Sequence, residues 1–181
     1  MTRFRFLPLA ATMVLALSLN LACSGKHSTT IQNDEGEPNV TNSVVSVVKM
    51  NDASSKGQLA RGFYAIEGNA WRWTSGSFSV VLKTPPGAAQ KGATLTMALT
   101  VSDVILKQVH FQTLTASVGT TKLNTEKYVD AGTHTFTATI PASLLTGDTV
   151  TIDFSLDNTL PPGVDRRELG VIVSSVGIES N

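Results

Sequence analysis

The sequence predicts an all-β chain folded as a two-sheet antiparallel sandwich, jelly-roll or immunoglobulin-like. Three observations carry that expectation. Apolar and polar residues alternate with period two through five separate segments, Gly- and Pro-rich turns divide those segments, and no stretch holds the periodicity of a long amphipathic helix. Such alternation gives each strand one dry face and one wet face, the pattern of antiparallel strands packed in a sandwich.

The elements follow in order. "SVVSVVKM" (43–50) is rich in β-branched residues and reads as a first strand, and "NDASSKGQ" as a loop behind it. Regular signals begin near Leu59. In "FSVVLK", Phe78, Val80 and Leu82 share one face; in "ATLTMALTV", Ala93, Leu95, Met97, Leu99 and Val101 do. "TLTASV" places Leu114, Ala116 and Val118 together, and "HTFTATI" does the same for Phe136, Ala138 and Ile140. "TVTIDFSLD" sets Val150, Ile152, Phe154 and Leu156 against Thr, Ser and Asp. The last segment, "LGVIVSSVGI" (169–178), is apolar on both faces, so it is expected to be a central strand or one that changes face at a bulge near Ser174-Ser175. Turns are expected at "TPPGAAQKG", "VDAGT", "LLTGD" and "LPPGVD", and "PASLL" (141–145) suits a single helical turn. The missing cysteine pair argues against a true immunoglobulin domain.

At 181 residues the chain suits one domain with appendages. Arg3 and Arg5 form a positive n-region before the apolar run "FLPLAATMVLALSL", which is too short to span a bilayer. "LNLAC" follows and ends at Cys23, the chain's single cysteine. That stretch resembles a bacterial lipoprotein signal, in which the cysteine becomes the new N-terminus and carries lipid; Ala22 fits the pattern and Asn20 departs from it. The resemblance implies lipidation at Cys23, and Ser24 implies sorting to the outer membrane. Cleavage as an ordinary secretory signal, or an idle thiol, are the competing readings. Residues 1–22 are thus expected to be the signal and 23–42 a lipidated cysteine and disordered polar tether. The sandwich would occupy 43–181.

Charge excludes one class of partner. Arg3 and Arg5 account for two of the 14 basic side chains, so the remaining chain carries 12 against 14 acidic ones. No basic stripe remains for nucleic acid. Enzymatic patterns are missing too: there is no Gly-x-Ser-x-Gly elbow, no His-Glu-x-x-His and no glycine-rich phosphate loop. His27, His110 and His134 are isolated, and Cys23 would be consumed by lipid. No catalytic residues, metal ligands or cofactor are expected. Asp153, Asp157 and Asp165 are close in sequence but lack a calcium-loop pattern; solvated face charges are the default reading, and a structural calcium ion held by loop oxygens is the alternative.

Two anchors remain: "GFYAIEGNAWRWT" (62–74) and "DRRELGVIVSSVGI" (165–178). Together they resemble a largely uncharacterised bacterial β-sandwich domain that often accompanies glycosyltransferases and surface-polysaccharide proteins. Tyr64, Glu67, Arg72, Trp73 and Thr74 match its first motif, and Asp165, Arg166, Arg167, Leu169 and Gly170 its second. The resemblance implies a fold and an envelope setting but no activity.

The tryptophans stand two apart, so in a strand both project to one face and Arg72 to the other. Trp73 is expected in the core and Trp71 at a rim beside Gly68-Asn69. Arg72 with Glu67, and Arg166 or Arg167 with Asp165, are expected as ion pairs joining the two ends of the domain. If glycan is bound, only Tyr64, Trp71 and Tyr128 can supply an aromatic surface. The function expected from these features is a non-catalytic, membrane-anchored module contacting envelope glycan or protein. A purely structural or adhesive surface module is the alternative, and an enzyme comes last.

Overall fold

The computed structural model describes residues 43–181. The expected signal, the expected lipidation site Cys23 and the expected tether lie outside the described residues. Nine strands follow in chain order: β1 (Val47–Lys49), β2 (Leu59–Glu67), β3 (Trp71–Lys83), β4 (Ala93–Val101), β5 (Gln112–Val118), β6 (Thr121–Tyr128), β7 (Gly132–Ile140), β8 (Thr149–Leu156) and β9 (Ile172–Ser180). Two short helices, α1 (Ala88–Lys91) and α2 (Asp103–Val109), and 3-10 turns at Ala53–Gln58 and Ala142–Leu144 fill connections.

Every pairing is antiparallel, in the order β6-β5-β8-β3-β9-β4-β7, with β1 beside β9 and β2 beside β3. The fold is an all-β antiparallel sandwich. Its two layers part at β3: residues 77–83 pair with β8, whereas Arg72 and Trp73 pair with β9. A single long strand therefore belongs to both sheets.

The expected dry faces meet between the layers. Phe78, Val80 and Leu82 of β3 are fully buried, as are Leu95 and Met97 of β4, Leu114 of β5 and Phe136 of β7. Phe78 stacks on Phe154 at 4.9 Å, and Phe136 from the other sheet meets Phe154 edge-on at 6.3 Å. Burying side chains of this size supplies the main driving force, about 1.5–3 kcal/mol each before entropy is charged. β9 is central, between β3 and β4. Its register against β4 slips at Ala98/Leu99, which face Ser175 and Val173, so Ser174 is the extra residue of a bulge. That bulge lets an apolar segment bury Val173 on one parity and Val176 on the other.

Some elements depart from expectation. The first strand is only three residues long. The supposed loop behind it is a 3-10 turn started by Asp52, whose carboxylate accepts from the Ser54 backbone N–H. β6, "TKLNTEKY", escapes periodicity analysis because its exposed edge carries polar residues on both faces. α2 is too short for a helical period to emerge, and it buries only Ile105 and Leu106. Among the described residues no helix is long and apolar enough to cross a membrane.

Candidate functional site

The β2–β3 hairpin turns through Gly68 and Asn69, both with positive φ (56° and 51°), the conformation that matches the twist of paired strands. The Ala70 N–H closes it on the Glu67 carbonyl at 3.1 Å. β3 starts at once, with Arg72 opposite Val173 and Trp73 opposite Ile172. Arg72 and Val173 point inward and are buried, so Trp71 and Trp73 both point outward. The two indoles are half-buried and lie edge to face, 6.2 Å between centroids. The expected division, Trp73 in the core and Trp71 at the rim, is therefore incorrect. The strand is regular from Trp71, and residues two apart in a regular strand share one environment.

The outward face continues across β9, β4 and β7. One cross-strand row reads Trp73–Ile172–Thr100–Thr133, and another reads Val47–Gly177–Thr96–Thr137. Gly177 lets Val47 pack against β9, since a Cβ there would come within 2.8 Å of the valine, and a shallow depression beside it is bordered by Val47, Thr96, Ser175 and Glu179. Thr94 donates to Asn181, and Thr137 lends only its backbone carbonyl, to Asn124. Among the described residues, the hydroxyls of Thr96, Thr100, Thr133, Thr135 and Thr137 have no protein partner. The face carries Lys49 and Glu179 on the β1–β9 side and is otherwise rich in hydroxyls.

The two sequence anchors meet at the same end of the sandwich. Arg167 donates to Glu67 at 2.7 Å and to Asp165 at 2.8 Å, and its guanidinium lies 5.2 Å over the Tyr64 ring. Hydrogen bonds from Arg167 hold the Asp165 carboxyl low, at about 2, and the same contacts raise Arg167. The Tyr64 hydroxyl donates to the Glu168 carbonyl at 2.8 Å, and the Glu168 carboxylate accepts from Gly76 N–H and the Thr159 hydroxyl. Gly170 allows closure here, since a Cβ would come within 2.8 Å of the Ser75 carbonyl.

The ion pair expected between Arg72 and Glu67 does not form. Glu67 is taken by Arg167, and the buried Arg72 donates instead to the backbone carbonyls of Met50 and Tyr64. Carbonyl oxygens turned inward at the strand end reach the guanidinium where a carboxylate on the outer hairpin cannot. Arg166 is exposed and pairs with no carboxylate among the described residues; the Asp165 partner is Arg167.

Tyr128 lies on β6, three strands from β3 in the sheet order, and is 3% exposed. Its hydroxyl donates to Glu126, and burial together with that carboxylate pushes its pKa up. Of the three aromatics considered for ligand contact, only Trp71 shares the open face, and Trp73 joins it. Asp153, Asp157 and Asp165 are engaged separately, by Arg61, the Thr113 N–H and Arg167. Among the described residues no group of three or more His, Cys, Asp or Glu side chains could hold a metal ion.

No protein-family model and no curated protein matches the chain. The resemblance seen in the two anchors therefore rests on those residues alone. Solved structures similar to this chain include carbohydrate-binding modules. CBM4 has a TM-score of 0.38 at 13% identity, over 75% of this chain and 85% of that one. The xylan-binding module CBM15 has 0.35 at 17%, over 76% and 97%. CBM51-2 with the INT domains of Clostridium perfringens ZmpB, in complex with GlcNAc, has 0.36 at 13%. There the match covers 76% of this chain and only 28% of that one. Likeness this distant carries no functional argument, so function must be read from this chain's own residues.

Proposed function

We propose that this protein is a non-catalytic, lipid-anchored β-sandwich module of the bacterial envelope that contacts glycan through the outer face of β3, β9, β4 and β7. The observation that carries this reading is the pair of half-exposed indoles, Trp71 and Trp73, beside a sheet face of unpartnered threonine hydroxyls. An indole is a rigid, flat, apolar surface that loses little conformational entropy when a sugar ring settles on it. Free hydroxyls next to it both donate and accept, which suits a ligand made of hydroxyl groups. Burying such hydroxyls against an apolar partner would leave them unpaired at a cost of about 1–3 kcal/mol each.

The anchor belongs to the same proposal. The Lys83 N–H donates to the Val45 carbonyl, so residue 45 sits at the end of β3 opposite Trp71, up to about 40 Å away by strand rise. A tether running from Cys23 to that end would leave the indole face free to meet a ligand beyond the membrane. Two acyl chains would make the anchoring durable, each buried methylene adding about 0.8 kcal/mol.

Affinity electrophoresis through gels containing neutral and acidic polysaccharides tests the glycan reading. Wild type is expected to be retarded by at least one polymer, and Trp71→Ala and Trp73→Ala to migrate freely. Retardation by none, or equal retardation of both variants, would remove the proposal. Metabolic labelling with palmitate tests the anchor: label in wild type and none in Cys23→Ala is expected, and equal labelling would discard it.

A further inference from the structure

A second depression opens away from the indole face, between β2 and the 3-10 turn at Ala53–Gln58. Lys56, Leu59, Phe63, Tyr64, Ala65 and Arg72 line it. Its volume, about 320 Å³, is at the small end for ligand pockets. Arg72 is 8% exposed, and a guanidinium stays charged at any ordinary pH. Its Nε donates to the Met50 carbonyl at 3.3 Å and its Nη1 to the Tyr64 carbonyl at 3.0 Å. Among the described residues Nη2 has no partner and Arg72 has no ion pair.

Neutral carbonyls satisfy two donors but leave the charge itself uncompensated. A buried charge without a counter-ion is one of the costliest groups a small domain can hold. The surroundings add to the imbalance: exposed Lys56 brings a second positive charge to the rim, and among the described residues no acidic side chain lines the depression. Phe63 and Tyr64 form apolar walls. Such a pocket selects for one negative charge on a small ligand with an apolar flank.

We propose that this depression binds an oxyanion, a carboxylate or phosphate carried by a small molecule, with Arg72 Nη2 donating from its floor, where that atom meets solvent, and Lys56 from the rim. The site is separate from the glycan face. Two of the five guanidinium N–H groups are committed to carbonyls, so both hydrogens of Nη2 remain for the anion, and Lys56 adds the second charge that holds it.

The test uses the mature full-length protein, with thermal shift and calorimetry at constant ionic strength. The probes are D-galacturonate for the carboxylate source and D-glucose 6-phosphate for the phosphate source, with D-galactose and sodium chloride as controls. A saturable rise in midpoint is expected with at least one of the two anions and not with galactose or chloride, and the anion that binds more tightly identifies the source. Lys56 is exposed and packs into no core, so Lys56→Ala should fold and bind about tenfold more weakly, the worth of one charge-assisted contact. Trp71→Ala should bind the anion as wild type does. No saturable shift with either anion, an equal shift with galactose, or unchanged affinity in Lys56→Ala would overturn the proposal. Loss of anion binding in Trp71→Ala would overturn the separation of the two sites.

Discussion

The sandwich has two outer faces, both written in threonine, serine and a few charges, and they differ in where their polar groups are spent. On the face of β3, β8 and β5, Arg61 reaches from β2 over Ser79 (3.2 Å) to Asp153 (2.8 Å). Thr115 meets Thr125 at 3.0 Å, and Asp157 accepts from the Thr113 N–H at 2.6 Å. Some polar side chains there are paired, although among the described residues the hydroxyls of Thr149, Thr151 and Ser155 are as open as those of the other face. On the face of β9, β4 and β7 the threonines stand in equally regular rows; Thr94 donates to Asn181, the hydroxyls of Thr96, Thr100, Thr133, Thr135 and Thr137 find no partner among the described residues, and Trp73 flanks the rows. Threonine richness alone, then, does not mark a contact surface. What marks it is hydroxyls left open next to a flat apolar group.

The bluntest way to break that comparison is to remove the core both faces rest on. Phe78→Ala should cost about 3–5 kcal/mol, which approaches the whole stability of a small domain. Urea denaturation should show both faces lost in one transition. Trp73→Ala should cost roughly half as much, because its ring is half in water. The protein should remain folded by circular dichroism while any polysaccharide affinity falls at least tenfold. An aqueous quencher should reach both indoles to similar extents, and full shielding of Trp73 alone would restore the divided arrangement.

The charged face should respond differently. Asp153→Ala removes an exposed ion pair and should cost only about 0.2–1 kcal/mol by denaturant midpoint, with polysaccharide binding unchanged. Thr100→Val keeps the β-branched shape and deletes one open hydroxyl. Its stability should stay within about 0.5 kcal/mol of wild type, yet binding should weaken. Thr115→Val, on the other face, should leave binding intact. Equal effects of the two threonine variants would erase the distinction between faces.

The smallest effect is in acid. Asp165 has a folded pKa of about 2, below its ordinary value of 3.8, because Arg167 donates to it. A depressed folded pKa means that the contribution is complete above the ordinary value and is lost as pH falls from about 4 to about 2. Wild type should lose midpoint across that window relative to Asp165→Asn, whose side chain does not titrate. Parallel acid curves would show that the Arg167 contacts contribute nothing measurable.

Much of the fold could be read along the chain, because side-chain alternation is a local property. β4 begins and ends where its period does, at Ala93 and Val101, and the bulge at Ser174 follows from a change of parity within a few residues. β6 could not be read in the same way: an edge strand with polar residues on both sides carries no period-two signal. The site was less legible. The sequence marks Trp71 and Trp73 as neighbours on one face, but whether that face is dry depends on what packs over it. Nothing in "NAWRWT" states that Arg72 will find the carbonyls of Met50 and Tyr64 in place of a carboxylate. Backbone acceptors are present at every residue and leave no mark in a sequence.

By itself the sequence determined which side of each strand is dry, where the turns fall, and that the first and last segments of the sandwich carry charges in need of partners. These follow from steric and solvation preferences acting over two to five residues. Only the tertiary structure decided that β3 serves both sheets and that Glu67 takes an arginine 100 residues away. It also decided that an ion pair and a threonine pair lie on one outer face while two indoles flank the other. Strand neighbours are chosen by packing free energy summed over contacts distant in sequence, so residues of the same type end up with different partners. That sum is set when the layers close around Phe78, Phe136 and Phe154, and no window of a few residues contains it.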